Sequence, residues 1–248
     1  MDETNGSKLI EMMKKDKEKF RKEHGGYQLL TAYFNGFPKE TLRNLLCDED
    51  KDIRGLALWI IYELGRGTSR DFLEEVTSQM NGDDPGIYFW AAEIVARYGT
   101  GKYMDDFMKI FCFFEHPDAK IRRQSMGIIS MLNDSRIRKA YAYSVMNKIL
   151  SDSHEKSLLS LLHINTLTAS DIAEMLHSDD SIIRKYGVIA AEKVYDKHPE
   201  IIRESVNSED LDVREYSKMI LEIQAEKAKR YEQWRNRKRN AEPKACIH

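Results

Sequence analysis

Apolar residues recur along the chain at spacings of three and four positions, which is the pattern of amphipathic α-helices. One such stripe covers residues 53–64 and a second covers 87–98, and three more begin at Ile121, Ile183 and Val213. No stretch alternates apolar and polar residues for long enough to indicate a strand. The pattern therefore predicts an all-α protein.

A short, nearly constant phrase precedes each stripe. It is an Asp, two variable residues, an Ile or Val, and then an Arg, and it occurs in full at residues 50–54, 118–122, 180–184 and 210–214. A further copy at 84–88 has Tyr88 in place of the Arg. An Asp in this position is a typical N-cap, because its carboxylate accepts hydrogen bonds from free backbone N–H groups and opposes the positive helix end. Each phrase therefore predicts the start of a helix.

The spacing of the phrases predicts a repeat architecture. Measured at the Ile or Val, successive copies lie 34, 34, 62 and 30 residues apart. The longest step fits two repeats, with a degenerate unit formed by residues 136–150 and 155–162. Partner helices are predicted between the stripes, at 38–46, 69–80, 103–115, 171–177 and 199–206. Paired helices with a period slightly above thirty residues are typical of an α-solenoid.

The phrase, its period and a small residue four positions after the Ile or Val resemble HEAT repeats over about residues 38–225. The small residues are Ala57, Ala91, Ser125, Gly187 and Ser217. The resemblance implies a right-handed solenoid of five to six HEAT-like hairpins, in which the phrase opens the second helix of each hairpin. It also implies a hydrogen-bonded ladder between neighbouring repeats, interrupted at Tyr88. The ladder residues would be Asp50, Arg54, Asp118, Arg122, Asp180, Arg184, Asp210 and Arg214.

The charge distribution divides the chain into a body and a tail. Residues 1–37 are predicted to form N-terminal capping helices, 38–225 the repeat array, and 226–248 a basic helical extension. The net charge is −2, but residues 226–248 carry eight Lys and Arg against three Glu, and the rest carries 31 basic and 38 acidic side chains. The tail could contact a nucleic acid or another anionic surface. We favour a solvated extension whose Tyr231 and Trp234 pack on the preceding repeat as a cap.

Motifs of known chemistry are absent from the sequence. It contains no HExxH or CxxC pair, no Gly-x-Ser-x-Gly turn and no phosphate-binding loop, so we expect no enzyme activity, metal or cofactor. Trp59 and Glu63 resemble the aromatic and acid pair of helical-repeat DNA glycosylases for alkylated bases, but the acidic body argues against DNA binding. With neither an apolar segment of about 20 residues nor the features of a signal peptide, we expect a cytoplasmic protein that does not contact membranes.

Acidic residues beyond those needed for capping cluster beside the phrases. Because stacked repeats align equivalent loops, these residues are predicted to form an acidic edge, which is typical of a surface for a basic partner. The alternative is that they serve only capping and solubility. The predicted edge consists of Asp48, Glu49, Asp52, Asp83, Asp84, Asp179, Asp180, Glu209 and Asp212.

A concave face is predicted from positions two, six and nine residues after each Ile or Val. Aromatic residues surrounded by charge are typical interface anchors. Alternatively Trp59 and Phe89 fill the core, although Trp90 already lies on the core stripe. The predicted concave residues are Trp59, Tyr62, Phe89, Glu93, Arg123, Ser130, Lys185 and Glu192.

These features predict a non-enzymatic, protein-binding solenoid. Some stand-alone bacterial HEAT-like proteins of this size are immunity proteins, so the resemblance implies an antitoxin that neutralises a basic toxin, such as a nuclease, by direct binding. Two alternatives stay open. One is a nucleic-acid-binding or DNA-alkylation-repair-like protein, and the other is a scaffold or lyase-like helper.

Overall fold

The described part of the protein is all-α, as the spacing of apolar residues predicted. The computed structural model describes residues 3–81 and 84–241, without the side chains of residues 3, 4 and 239–241. These residues form sixteen α-helices and three 3-10 turns, with no strand among them. Asp83 of the predicted acidic edge lies outside the described residues. By its internal contacts the chain divides into two compact units, Met1–Ser151 (unit 1) and Asp152–His248 (unit 2).

Unit 1 contains eleven of the described helices. Its first three are α1 (Glu3–Lys15), α2 (Lys17–Lys22) and α3 (Gly25–Phe34), and they bury Leu9, Met13 and Phe20. The others are α4 (Thr41–Leu46), α5 (Lys51–Glu63), α6 (Arg66–Asp71), α7 (Leu73–Thr77), α8 (Pro85–Tyr98), α9 (Met104–Cys112), α10 (Ala119–Ser130) and α11 (Asp134–Asn147). The 3-10 turns Gly101–Tyr103 and Phe113–Glu115 flank α9. The predicted helix over 69–80 is thus replaced by two short helices, α6 and α7.

Unit 2 contains the other five described helices. They are α12 (Asp152–Leu162), α13 (Ala169–Leu176), α14 (Ser181–Lys193), α15 (Pro199–Ser205) and α16 (Leu211–Ala241), with a 3-10 turn at Ile164–Thr166. The two helices of the predicted degenerate unit correspond to α11 and α12, which fall in different units. None of the described helices is long and apolar enough to cross a membrane.

Each phrase starts a helix in the way that its residues dictate. The carboxylate of Asp50 accepts a hydrogen bond from the Asp52 N–H at the start of α5, and Asp84, Asp118, Asp180 and Asp210 cap α8, α10, α14 and α16 in the same way. The phrase Arg then closes the preceding loop. Arg54 donates to the carbonyls of Asp48 and Glu49, and Arg122, Arg184 and Arg214 each donate to the carbonyl six residues before them. The Asp of each phrase therefore caps the helix that follows, and the Arg holds the preceding loop by hydrogen bonds to its carbonyls.

The phrase helices pack side by side within each unit. In unit 1, α5 contacts α4 and α8, and α8 also contacts α6, α7, α9 and α10. In unit 2, α14 contacts α12, α13, α15 and α16. Gly187 permits the close approach of α14 to α13, because a Cβ there would lie 3.0 Å from the Leu176 nitrogen. Helices with so many neighbours bury more than one face, and this changes which side chains are available to a partner.

Candidate functional site

An open groove of about 860 Å³ lies in unit 1 where the N-terminal helices meet the starts of α5, α8 and α10. Tyr27, Trp59 and Trp90 line it, together with Gly26 and Gly55, which contribute no side chain. Tyr27 and Trp59 meet edge to face, with ring centroids 5.3 Å apart. The groove therefore combines aromatic walls with a floor left open by glycine.

Two of the three predicted aromatic residues of the concave face, Tyr62 and Phe89, contact Trp90. The ring centroid of Trp90 lies 5.3 Å from that of Tyr62 and 4.9 Å from that of Phe89. All three rings are half-buried, as is Trp59 in the groove. Trp90 was predicted to lie on the core stripe of α8. Ile87, Ala91 and Ile94 of that stripe are buried, whereas Trp90 is only half-buried and lines the groove.

Tyr88 is a core residue. Its ring is fully buried, and its hydroxyl lies 2.6 Å from the Oγ of the buried Ser125 on α10. Burial raises the pKa of Tyr88 above its usual range. At this phrase position, a neutral hydrogen bond therefore links α8 and α10.

Cations from α1 and α2 neutralise much of the predicted acidic edge in unit 1. Lys17 contacts Asp50 at 2.7 Å and Asp52 at 2.9 Å. Arg21 also contacts Asp52, at 3.2 Å. The remaining ion pairs join Lys14 to Asp48 at 2.7 Å and Lys51 to Asp84 at 3.1 Å. The hydrogen bond from Lys17 lowers the pKa of Asp50, and that from Lys14 lowers the pKa of Asp48. Asp48, Asp52 and Asp84 are thus internally paired, whereas Glu49 is exposed.

One Arg–Asp contact of the kind that the HEAT resemblance implies lies in unit 2 between α14 and α16. Both Nε and Nη2 of Arg184 lie 3.0 Å from Oδ2 of Asp210. Elsewhere the phrase Asp has other partners. Asp50 accepts from Lys17, and Asp180 accepts from the Ser153 hydroxyl, which lowers the pKa of Asp180.

Three residues that were predicted to lie on the surface are buried, so these predictions are wrong. Glu93 pairs with Arg97 at 3.3 Å, and burial raises its pKa. Lys185 and Asp212 lie 4.0 Å apart, both inside unit 2. The cause is the packing of α8 and α14 among several helices, which leaves no open face at these positions.

The other predicted concave residues are half-buried. Glu192 accepts a hydrogen bond of 2.6 Å from the Tyr216 hydroxyl. Ser130 donates to the Gly127 carbonyl within its own helix, and Arg123 lies on the same helix, α10. These contacts engage Glu192 and Ser130 inside the protein, so neither side chain is offered freely to a partner.

An acidic cleft of about 640 Å³ lies in unit 2 between the C-terminal ends of α13 and α15. Asp179, Glu204 and Glu209 line it, and all three are exposed. None of the three forms a side-chain ion pair with the described residues. Glu204 was missed by the sequence analysis because it belongs to α15, away from any phrase. We call this surface the acidic cleft.

The extension of α16 projects exposed aromatic and basic side chains. Tyr231 is 64% exposed and Trp234 is 55% exposed, with their ring centroids 5.8 Å apart. The Nζ of Lys238 lies 5.5 Å from the Trp234 ring centre. The prediction that these aromatics pack on the preceding repeat as a cap is therefore wrong.

The described residues contain no group of three or more His, Cys, Asp or Glu side chains placed to hold a metal ion. Glu63 is exposed and does not line the groove, whereas Trp59 does. The aromatic and acid pair considered from the sequence is therefore not assembled in the groove.

Comparison with known proteins gives no family. No protein-family model matches the chain, and no curated protein matches it. One similar solved structure is a crystal structure of an engineered protein, with 15% identity over 74% of this chain and 95% of that chain and a TM-score of 0.34. A second engineered protein has 14% identity over 88% of this chain and 67% of that chain, with a TM-score of 0.38. These scores are too low to support an argument about fold or function.

Proposed function

We propose that the protein is a non-enzymatic, protein-binding α-solenoid of HEAT-like hairpins whose partner is a basic protein. The observation that carries the proposal is the acidic cleft, where Asp179, Glu204 and Glu209 are exposed. Arg184 also lines the cleft, but its guanidinium is paired with Asp210, so the three exposed carboxylates are left without an ion pair among the described residues. Uncompensated like charge around a concave surface attracts a partner of opposite charge and disfavours others.

The class of partner follows from this chemistry and from the HEAT resemblance. A nuclease must present positive charge to attract phosphates, so a protein that blocks it needs an acidic surface. We therefore propose that the chain is an immunity protein that neutralises a basic, nuclease-like toxin by direct binding. The ion-paired acids of unit 1 contribute less to this attraction than the acidic cleft does.

Calorimetry with the purified basic nuclease domain of a toxin as titrant tests the proposal. We expect the triple variant Asp179→Asn, Glu204→Gln, Glu209→Gln to weaken binding by about tenfold or more, since three charge pairs of about 0.5 kcal/mol or more each contribute ~1.5 kcal/mol together. The affinity of the parent should also fall as salt is raised.

A matched control removes the same number of charges elsewhere. Glu11, Glu63 and Glu222 are exposed and form no side-chain ion pair with the described residues, so their Gln variants should bind almost as the parent does. Equal losses in both triple variants would show that only net charge matters. Unchanged binding in the cleft variant would remove the acidic cleft from the mechanism.

A second candidate function is binding of single-stranded nucleic acid by the extension of α16. It is favoured by the exposed pair Tyr231 and Trp234 among basic residues, since aromatic faces stack on bases and cations contact phosphates. Anisotropy of a labelled oligonucleotide at low salt tests this function. Substitution of Arg235, Arg237 and Lys238 by Gln should then abolish a salt-sensitive signal, and a parent protein without any signal excludes the function.

A further inference from the structure

We propose that the groove of unit 1 is a binding site for a nucleoside phosphate, with the base held by the aromatic walls and the phosphate by the cations at the rim. The site lies in unit 1, is separate from the acidic cleft, and does not depend on the proposed basic partner. Three features of the groove carry the inference: its aromatic walls, its open floor and its excess of cations over carboxylates.

The walls of the groove offer aromatic surfaces on which a flat ring can stack. Tyr27 is 67% exposed at the groove, and the indoles of Trp59 and Trp90 are half-buried along it. A Cβ built on Gly55 would have no heavy atom within 4 Å, and one built on Gly26 would reach Trp59 at 3.5 Å. The floor is therefore open above Gly55, and stacking on the aromatic rings would stabilise a planar base.

The charges of the groove favour an anion. Lys17, Arg21, Lys51 and Lys120 line it against the carboxylates of Asp52 and Asp84. Lys17, Arg21 and Lys51 are engaged by these carboxylates and Asp50. Lys120 is exposed and forms no ion pair with the described residues. The rim thus keeps a net positive charge.

The placement of two of these lysines strengthens the electrostatic argument. Lys51 is the first residue of α5, and Lys120 is the second residue of α10. A cation in the first turn is repelled by the positive end of the helix dipole. A phosphate at this rim would relieve the repulsion and gain charge-assisted hydrogen bonds.

The dimensions of the groove fit the proposed class of ligand. A volume of about 860 Å³ is within the range of pockets for small molecules and cofactors. Inorganic phosphate alone would leave the aromatic walls uncovered, and an uncharged nucleoside would leave the cations unused. A ligand that combines a base with a phosphate satisfies both parts of the groove.

Tryptophan fluorescence provides a direct test. The chain has three Trp residues, and the third, Trp234, lies on the extension of α16. In a Trp234→Phe background the emission reports Trp59 and Trp90 alone. We expect adenosine monophosphate to quench this emission saturably, and to bind about tenfold or more tightly than adenosine or inorganic phosphate, because each of these lacks one half of the contacts.

Variants assign the signal to the groove. Gly55→Phe should fill the floor and abolish binding. Gly67→Phe is the control, because it adds the same ring on α6, where a Cβ also meets nothing within 4 Å and where the residue does not line the groove. Lys120→Gln should weaken binding of adenosine monophosphate by about tenfold and leave that of adenosine unchanged. Circular dichroism verifies that each variant is folded.

Three results would overturn the proposal. They are the absence of saturable quenching by adenosine monophosphate, equal affinity for adenosine and its monophosphate, and no effect of Lys120→Gln on the affinity for the monophosphate. Each result leaves the basic partner of the acidic cleft unaffected, so the two proposals fail independently.

Discussion

His154 on α12 shows how one buried side chain connects packing to pH. Its ring is 2% exposed, and its Nδ1 lies 3.1 Å from the hydroxyl of Tyr186 on α14. Burial lowers the pKa of His154 to about 4, Asp180 opposes this effect and Lys185 adds to it. The imidazole is therefore neutral at pH 7, and charging it inside the unit costs free energy.

The depressed pKa of His154 predicts a loss of stability in acid. Between its unfolded pKa of about 6.5 and its folded pKa of about 4, the unfolded state binds more protons, so stability is complete above pH 6.5 and declines as the pH falls. The difference corresponds to roughly 3 kcal/mol. Urea unfolding at pH 7.5 and 4.5 measures it, and His154→Gln should flatten the pH slope. The control His163→Gln removes an exposed imidazole and should leave the dependence of the unfolding free energy on pH unchanged. A pH dependence in His154→Gln equal to that of the parent would contradict this account.

At the scale of elements, α11 stabilises the end of α8 through one arginine. Arg136 is buried, and it donates to the carbonyls of Gly99 at 2.8 Å and Val95 at 3.1 Å. Its guanidinium carbon lies 3.9 Å from the ring centre of Phe107. Burial lowers its pKa to about 10, so the group is still charged at pH 7. The negative C-terminal end of α8 thus takes the place of a carboxylate as the partner of Arg136.

Removal of this cation should destabilise unit 1. We expect Arg136→Met to lower the free energy of unfolding by about 2–4 kcal/mol, because two buried carbonyls lose their charged donor. Chemical denaturation measures the change. Arg138→Met on the same helix removes an exposed guanidinium and should cost less than about 1 kcal/mol. Similar losses in both variants would show that the capping contact contributes little.

Two helical glycines should respond in opposite directions to the same substitution. Gly187→Ala places a Cβ 3.0 Å from the backbone of α13, and should destabilise unit 2 by about 1–3 kcal/mol despite the better helix propensity of Ala. Gly55→Ala meets nothing within 4 Å on α5, and should stabilise unit 1 by about 0.5–1 kcal/mol. Thermal unfolding of both variants decides whether packing or propensity dominates at each site.

For the whole molecule, the sequence predicted what depends on local interactions. Each Asp of the phrase caps the helix that follows it, because a cap and its stripe are neighbours in the chain. The faces of α8 and α14 were not predicted, since the burial of Glu93 and Lys185 depends on helices from elsewhere in the sequence. The ion pairs of the acidic edge of unit 1 were not predicted for the same reason, because Lys17 comes from a helix more than thirty residues earlier.

The charge split between body and tail gives a prediction for the whole chain. Deletion of residues 226–248 removes eight basic and three acidic side chains, which leaves 31 against 38 and changes the net charge from −2 to −7. The described side chains of this segment are exposed, so the free energy of unfolding should change by less than about 1 kcal/mol. Urea denaturation of the two forms measures this change. A loss of several kcal/mol would mean that the extension packs on the body after all, whereas a small change would agree with the exposure of Tyr231 and Trp234.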